Sequence, residues 1–219
     1  MKKYFEILRK CPLFDEIEDE NLVSMMSCLD TKTAIYNKKE TIFAEGDPAK
    51  HIGIVLSGTA QIERTDYYGN RSILASIEPA ELFGESFACA DIQNIPFSVI
   101  AAKNSEIMFV DCKKVIQTCS ANCEFHNRII FNLLKIVATK NIMLNQKAEI
   151  TAKRTTREKL MTYLLMQAKK NNSASFTIPF DRQTLADYLD VDRSGLSNEI
   201  SKLRNEGIIE SRKSWFKLV

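Results

Sequence analysis

Six polar side chains within one short stretch, Arg193, Ser194, Ser197, Asn198, Lys202 and Arg204, carry the chemistry this chain offers most clearly. They supply donors, acceptors and a light positive charge, a set suited to base edges and phosphates rather than to bond making. Their spacing puts them on one side of a helix whose other side is Leu196, Ile200 and Leu203. Asp192 is the expected N-cap, and Gly207 stands where a C′ glycine ends a helix. Just upstream, Asp181 is placed to cap a shorter helix whose Leu185, Ala186 and Leu189 recur at helical spacing. Asp190-Val191 breaks the two: Asp tolerates a left-handed backbone, and Val191 can turn inward between the helices. Two short helices about a tight turn fit either an ordinary amphipathic helix pair or a helix-turn-helix, whose second helix reads DNA by its first turns.

The elements that must hold this motif lie on either side of it. Residues 151–219 carry 13 Lys/Arg against 8 Asp/Glu, a net of +5, and residues 1–150 carry 17 against 20, a net of −3. A basic C-terminal portion on a slightly acidic body fits a polyanion-binding module joined to something else. Leu160, Tyr163, Leu164 and Ala168 predict a helix before the motif, and Phe176-Thr177-Ile178-Pro179 a short strand. Ile208–Ser211 and Trp215–Val219 predict a hairpin after it, with Arg212 and Lys213 at the tip as phosphate contacts. Helix, strand, helix-turn-helix and hairpin in that order make a winged helix.

Upstream, Ile130, Leu134, Val137, Asn141, Leu144 and Ala148 fall at spacings of 4, 3, 4, 3 and 4. That is a heptad seam on a helix from about 122 to 150, with Asn141 placed to fix register. Ile129, Leu133 and Ile136 widen the stripe, so the helix is expected both to pair with a second copy and to cover its own body. The polar, basic TAKRTTREKL after Ile150 reads as a hinge. Between Thr31 and Asp111 the pattern is short β runs: TAIY, TIFA, IGIVL, AQIER, SILASI, FSVIAA and EIMFV. Turn signals separate them, with Gly46, Gly58 and Gly69 read as positive-φ turn residues. Residues 1–30 read as a helical prelude with Leu22, Val23, Met26 and Leu29 as its apolar set. The expected fold is therefore α+β: an antiparallel β-roll over 1–121 (a double-stranded β-helix, cupin-like), a dimerisation helix over 122–150, and a winged helix-turn-helix over 151–219.

In order and spacing, CPLFDEI (11–17), KKETIFAEGDPAKHIGIVLSG (38–58), ELFGESF (81–87), TTREKL (155–160) and TLADYLDVDRSGLSNEISKLRNEGII (184–209) resemble the cyclic-AMP receptor protein / fumarate-nitrate regulator (Crp/Fnr) family of bacterial transcription factors. The resemblance covers essentially the whole chain. It implies a homodimer that senses a small-molecule effector in its N-terminal domain, binds a two-fold-symmetric DNA site and works with RNA polymerase. Carried over residue by residue, the base readers are Arg193, Ser194, Ser197 and Asn198, with Lys202 on the same face. Arg193 suits guanine O6 and N7, and Asn198, where the best-known members commonly have Arg, suits adenine N6 and N7. Gln183 and Thr184 should touch phosphate. The family usually has Gly where Asp190 stands.

The effector site departs further from the family. Gly84-Glu85 keep the ribose-side pair of the nucleotide-binding members, but Ile95 and Pro96 stand where those members have Arg and Ser or Thr for the cyclic phosphate. A buried phosphate without a cation or hydroxyl partner loses several kcal/mol. Ile142 and Met143 fall where nucleotide users carry polar adenine contacts. Cyclic AMP is therefore disfavoured. Gly84, Glu85, Ile95, Phe97, Ile142 and Met143 are expected to line an apolar site for a small hydrophobic or aromatic ligand, or for none.

Other chemistry finds thin support. Cys11 and Cys28 are 17 apart, too far for an N-terminal iron–sulfur cluster motif, and Cys112, Cys119 and Cys123 make a loose group. A thiol redox switch stays open. Haem would have only His51 and His126 as histidine ligands, and a metal enzyme on a cupin-like barrel would need a His-x-His pair, which the chain lacks. Nucleophile-elbow, Walker and dinucleotide motifs are also missing from the sequence. There is no secretory or membrane-length apolar run, so a cytoplasmic setting with reduced thiols and no membrane partner is expected.

Overall fold

Strand-forming runs between residues 32 and 111 pair into two antiparallel four-stranded sheets. One runs in the order β1 (Lys32–Tyr36), β8 (Ser105–Asp111), β3 (His51–Ser57) and β6 (Leu82–Phe83). The other runs β2 (Thr41–Phe43), β7 (Ser98–Ala101), β4 (Ala60–Thr65) and β5 (Arg71–Ile77). Pairing of β3 with β8 and of β2 with β7 closes long connections, as a roll requires. Each expected β run lies on a strand, and Gly46 and Gly58 have positive φ. This computed structural model describes residues 4–65, 67–68, 71–117 and 124–219, without the side chains of residues 65, 71 and 124. The expected turn at Gly69, the helix start near Asn122, and Cys119 and Cys123 lie outside the described residues.

The sheets enclose a core of Ile42, Val55, Ala60, Phe83, Ile95, Phe97, Val99, Ala101 and Ile107. Gly53 is required there by space, because a Cβ would meet the Phe83 ring at 2.1 Å. The outer face of β3 and β8 packs Ile52, Ile54, Leu56, Met108 and Val110 into a second core shared with the N-terminal helices. Those are α1 (Phe5–Leu8) and, after a 3-10 turn at Pro12–Phe14, α2 (Asp19–Cys28). Helix α2 buries Leu22, Met25 and Met26, whereas Val23 is 47% exposed. The expected apolar set thus had Val23 on the wrong side: it stands about 100° around the helix from Leu22, and Met25 takes the inward position. Two short helices, α3 (Glu85–Cys89) and α4 (Cys112–Ile116), complete this part.

Helix α5 (Glu124–Thr151) is 28 residues long, about 42 Å at 1.5 Å per residue. The two compact units of the chain, residues 1–138 and 139–219, divide within it. Its first half covers the roll through Ile129 and Leu133, and buried Asn132 donates to the carbonyls of Leu13 at 3.1 Å and Asp15 at 2.8 Å. Ile150 belongs to the core of the second unit, so the polar hinge expected after it follows a residue already anchored there.

The second unit continues with α6 (Thr156–Asn171), β9 (Ser175–Thr177), α7 (Arg182–Leu189), α8 (Arg193–Asn205), β10 (Ile209–Arg212) and β11 (Trp215–Leu218). Its sheet order is β10-β11-β9, a winged helix. Leu160, Leu164, Leu185, Leu189, Leu196, Leu203 and Phe216 form its core. Among the described residues no helix is long and apolar enough to cross a membrane.

Candidate nucleic-acid interface and sensor segment

The motif is built by caps and by one strained-looking but tolerated residue. Asp181 accepts from the Thr184 N–H at 2.8 Å, which starts α7, and Asp192 accepts from the Gly195 N–H at 2.9 Å, which starts α8. Asp190 sits between them at φ 54°, ψ 59°, the left-handed conformation in which Asp replaces glycine most readily. Lys159 Nζ donates to the Asp190 carbonyl at 2.9 Å, so a lysine of the basic stretch secures the turn. Val191 packs against the core, and Gly207, at φ 73°, follows the C-cap of α8. Helix α6 starts at a capping box of Thr155 and Glu158. Its Arg157 grips Glu206 at 2.9 and 2.5 Å and lies 3.6 Å from Glu199, which fixes the roll of α8.

With Leu196, Ile200 and Leu203 buried, the opposite side of α8 presents Arg193, Ser194, Ser197, Asn198 and Lys202 to solvent. Three of these already have local partners. Ser194 Oγ donates to Asp192 at 2.5 Å, Ser197 Oγ to the Arg193 carbonyl at 2.9 Å, and Lys202 is 3.9 Å from Glu199. Arg193 and Asn198 make no side-chain hydrogen bond among the described residues. Gln183 and Thr184 are exposed on α7, where Gln183 donates to Asp187 at 2.9 Å. Arg212 and Lys213 are exposed at the hairpin tip, Lys213 at φ 52°. Ser214 ties that tip down by donating to the Phe180 carbonyl at 2.9 Å.

Electrostatics keep the caps charged. The Asp192 carboxyl is held below its ordinary value by the Ser194 hydroxyl and the Gly195 N–H, and Asp181 by the Thr184 N–H and hydroxyl, with Arg193 adding to it. Arg182, which the sequence reading did not single out, stacks on Phe216 at 4.9 Å, and burial lowers its pKa. Its ring partner is 34 positions away, so no local pattern signals it. Lys147 lies 5.6 Å from the Tyr188 ring centre, and Tyr188 packs on Tyr163 and Phe180. The C-terminal end of α5 is joined to the motif by this cluster.

The sensor segment is built differently. Gly84, at φ 78°, opens α3 beside Phe43, and a Cβ there would come within 3.0 Å of that ring. Glu85 is buried and accepts from the Ser86 hydroxyl at 3.2 Å. Ile95 and Phe97 are 2% and 6% exposed and belong to the core between the sheets, with Phe97 edge-on to Phe87 at 4.9 Å. The Ile95 N–H donates to the Asp47 carbonyl and its own carbonyl accepts from the Gly46 N–H, both at 2.9 Å. Gly84, Glu85, Ile95 and Phe97 therefore gather in the first unit, while Ile142 and Met143 are 57% and 62% exposed on α5.

Along the expected seam, Leu134 and Leu144 are 65% and 66% exposed, Asn141 is exposed, Ile130 is half-buried and Val137 packs partly against the first core. No residue from 138 to 149 is buried. His126 is buried with Nε2 3.0 Å from the Lys114 carbonyl, and His51 is exposed at the start of β3. Among the described residues no three His, Cys, Asp or Glu side chains gather as a metal-binding group.

Residues 34–122 match the cyclic nucleotide-binding domain family, and residues 158–219 match the Crp-like helix-turn-helix domain family. The chain is 22% identical over 184 residues to the transcriptional activator protein FnrL of Cereibacter sphaeroides, over 80% of this chain and 71% of that protein. It is 29% identical over 80 residues to the CRP-like cAMP-activated global transcriptional regulator of Mycobacterium tuberculosis, 36% of this chain and only 35% of that protein. The solved structure of Thermus thermophilus catabolite activator protein shares the fold, with a TM-score of 0.51 at 20% identity over 95% of this chain and 93% of that one. A nucleotide-binding-type sensor domain followed by a helix-turn-helix defines a DNA-binding transcription regulator. The chain belongs to the Crp/Fnr family of such regulators.

Proposed function

We propose that this chain works as a homodimer, in which two copies of α5 pair and two α8 helices enter successive major grooves of a two-fold-symmetric DNA site. The observation that carries the reading is the stretch of α5 from 138 to 149, where Ile142, Met143 and Leu144 are more than half exposed and nothing is buried. On the seam itself Leu134 and Leu144 are 65% and 66% exposed, apolar surface on an isolated chain that pairing with an identical helix removes from water. Arg193 and Asn198 then read bases, helped by Ser194 and Ser197. Gln183, Thr184, Lys202, Arg212 and Lys213 hold phosphates. RNA polymerase is the downstream partner.

The signal is other than cyclic AMP. At the position of the phosphate-binding Arg, Ile95 points into the core and its backbone groups are already paired with Asp47 and Gly46. Pro96 has neither hydroxyl nor N–H. These residues do not fit a cyclic phosphate, and they suit a small apolar effector or a sensor that has lost its ligand. Sedimentation should give about twice the 24.9 kDa chain mass, and calorimetry with cyclic AMP should give no saturable heat. A monomer at tens of micromolar defeats the pairing, and a micromolar affinity for cyclic AMP defeats the sensor reading.

A further inference from the structure

Cys89 and Cys112 are 23 positions apart in the chain, yet their Sγ atoms lie 3.5 Å from each other. Cys89 closes α3 and is exposed, while Cys112 opens α4 and is buried. The two helices pack together. A disulfide needs about 2.0 Å between sulfurs, so the pair is about 1.5 Å from bonding distance, a gap that small side-chain rotations close. We propose that Cys89 and Cys112 form an oxidation site, converted by a hydroperoxide into an intramolecular disulfide.

The chemistry divides between the two sulfurs by exposure. Cys89 meets the oxidant: its thiolate attacks the terminal peroxide oxygen, the O–O bond breaks, and the departing oxygen takes up the proton that the thiol gave up. Cys89 is then a sulfenic acid. Cys112 attacks its sulfur, the S–O bond breaks, and hydroxide leaves with the Cys112 proton as water. Two thiols and one hydrogen peroxide give one disulfide and two waters, the two electrons from sulfur reducing the O–O bond. The hydrogen bond from Cys112 holds the Cys89 thiol below its ordinary value, against burial and Glu85, and the same contact pushes Cys112 up. The exposed sulfur is thus the readier nucleophile and the buried one the resolving partner. Cys11 is a poor competitor, buried and pushed up to about 12. The bond would tie α3, the helix that begins at Glu85, to α4, the last described element before α5.

This inference does not depend on the DNA reading, and its test uses thiol chemistry alone. The full-length chain is treated with hydrogen peroxide from equimolar to tenfold, quenched, alkylated and mapped by mass spectrometry. The expected result is loss of two of the six thiols, a mass lower by about 2 Da before alkylation and two fewer alkyl groups after it, and a dithiothreitol-reversible cross-link between the Cys89 and Cys112 peptides. Cys112→Ser should stop at a sulfenic acid on Cys89 that dimedone traps. A chain carrying Cys28→Ser, Cys119→Ser and Cys123→Ser together should still form the cross-link. Six alkylatable thiols surviving tenfold peroxide in the folded wild-type chain, or cross-links mapping to other pairs, would overturn the proposal.

Discussion

The motif of the second unit exposes its distinguishing residues, and the sensor segment of the first buries its own. On α8 the buried positions are uniformly aliphatic and the distinguishing side chains face water. Between Gly84 and Ser98 the distinguishing positions, Ile95 and Phe97, are themselves core. Residues that read a partner from the surface can change without touching stability. Ile95 and Phe97, inside the roll, are part of what holds it together.

The largest effect that sharpens this contrast is at Phe97. Phe97→Ala removes a buried ring from between the sheets and should cost about 3–5 kcal/mol of stability, measured by urea denaturation. A loss under 1 kcal/mol would mean that the ring lines a space able to collapse or to be filled.

Arg193→Ala should do the reverse. Stability should stay within about 0.5 kcal/mol because the side chain is exposed. Discrimination at one base pair of a selected site should fall by about 1–3 kcal/mol, read by competition binding. Uniform weakening across all sequences would make Arg193 a phosphate contact.

The smallest effect concerns the caps. The Thr184 N–H holds the Asp181 carboxyl, and the Ser194 hydroxyl the Asp192 carboxyl, below the ordinary carboxylate value. A carboxylate with a depressed folded value stabilises above its unfolded pKa, and the gain is lost as pH falls through the folded value. Thermal denaturation from pH 6 to pH 2.5 should therefore show the second unit losing stability below about pH 4. Asp192→Asn, which caps without titrating, should flatten part of that slope. An unchanged slope would assign the acid loss to other carboxylates, such as Glu158 and Glu206, both also depressed.

Much of this was legible in the chain because it is written locally. Asp181, Asp190, Asp192 and Gly207 act within four residues of their own positions, so the caps and turn followed from spacing. The β runs were visible through residue type and turn signals. What escaped was short or non-local. Strand β6 has two residues, and α3 and α4 have five each, too few to show a period. Lys159 on the Asp190 carbonyl, Arg182 on Phe216 and Cys89 beside Cys112 join residues 23 to 34 positions apart, and only the folded chain brings them together. The apolar character of Ile95 and Phe97 was plain in the sequence. That they are packed core rather than an open wall was not, because composition is the same in both cases.

Selection of binding sites from random duplex DNA tests most directly whether paired α5 helices hold two α8 helices on one DNA site. The predicted product is an inverted repeat whose half-sites are centred about 10 bp, or about 34 Å, apart or a multiple of that, with enrichment lost in Arg193→Ala, Asn198→Ala double-variant protein. Enrichment of a single asymmetric half-site, or the same repeat from the double variant, would contradict it.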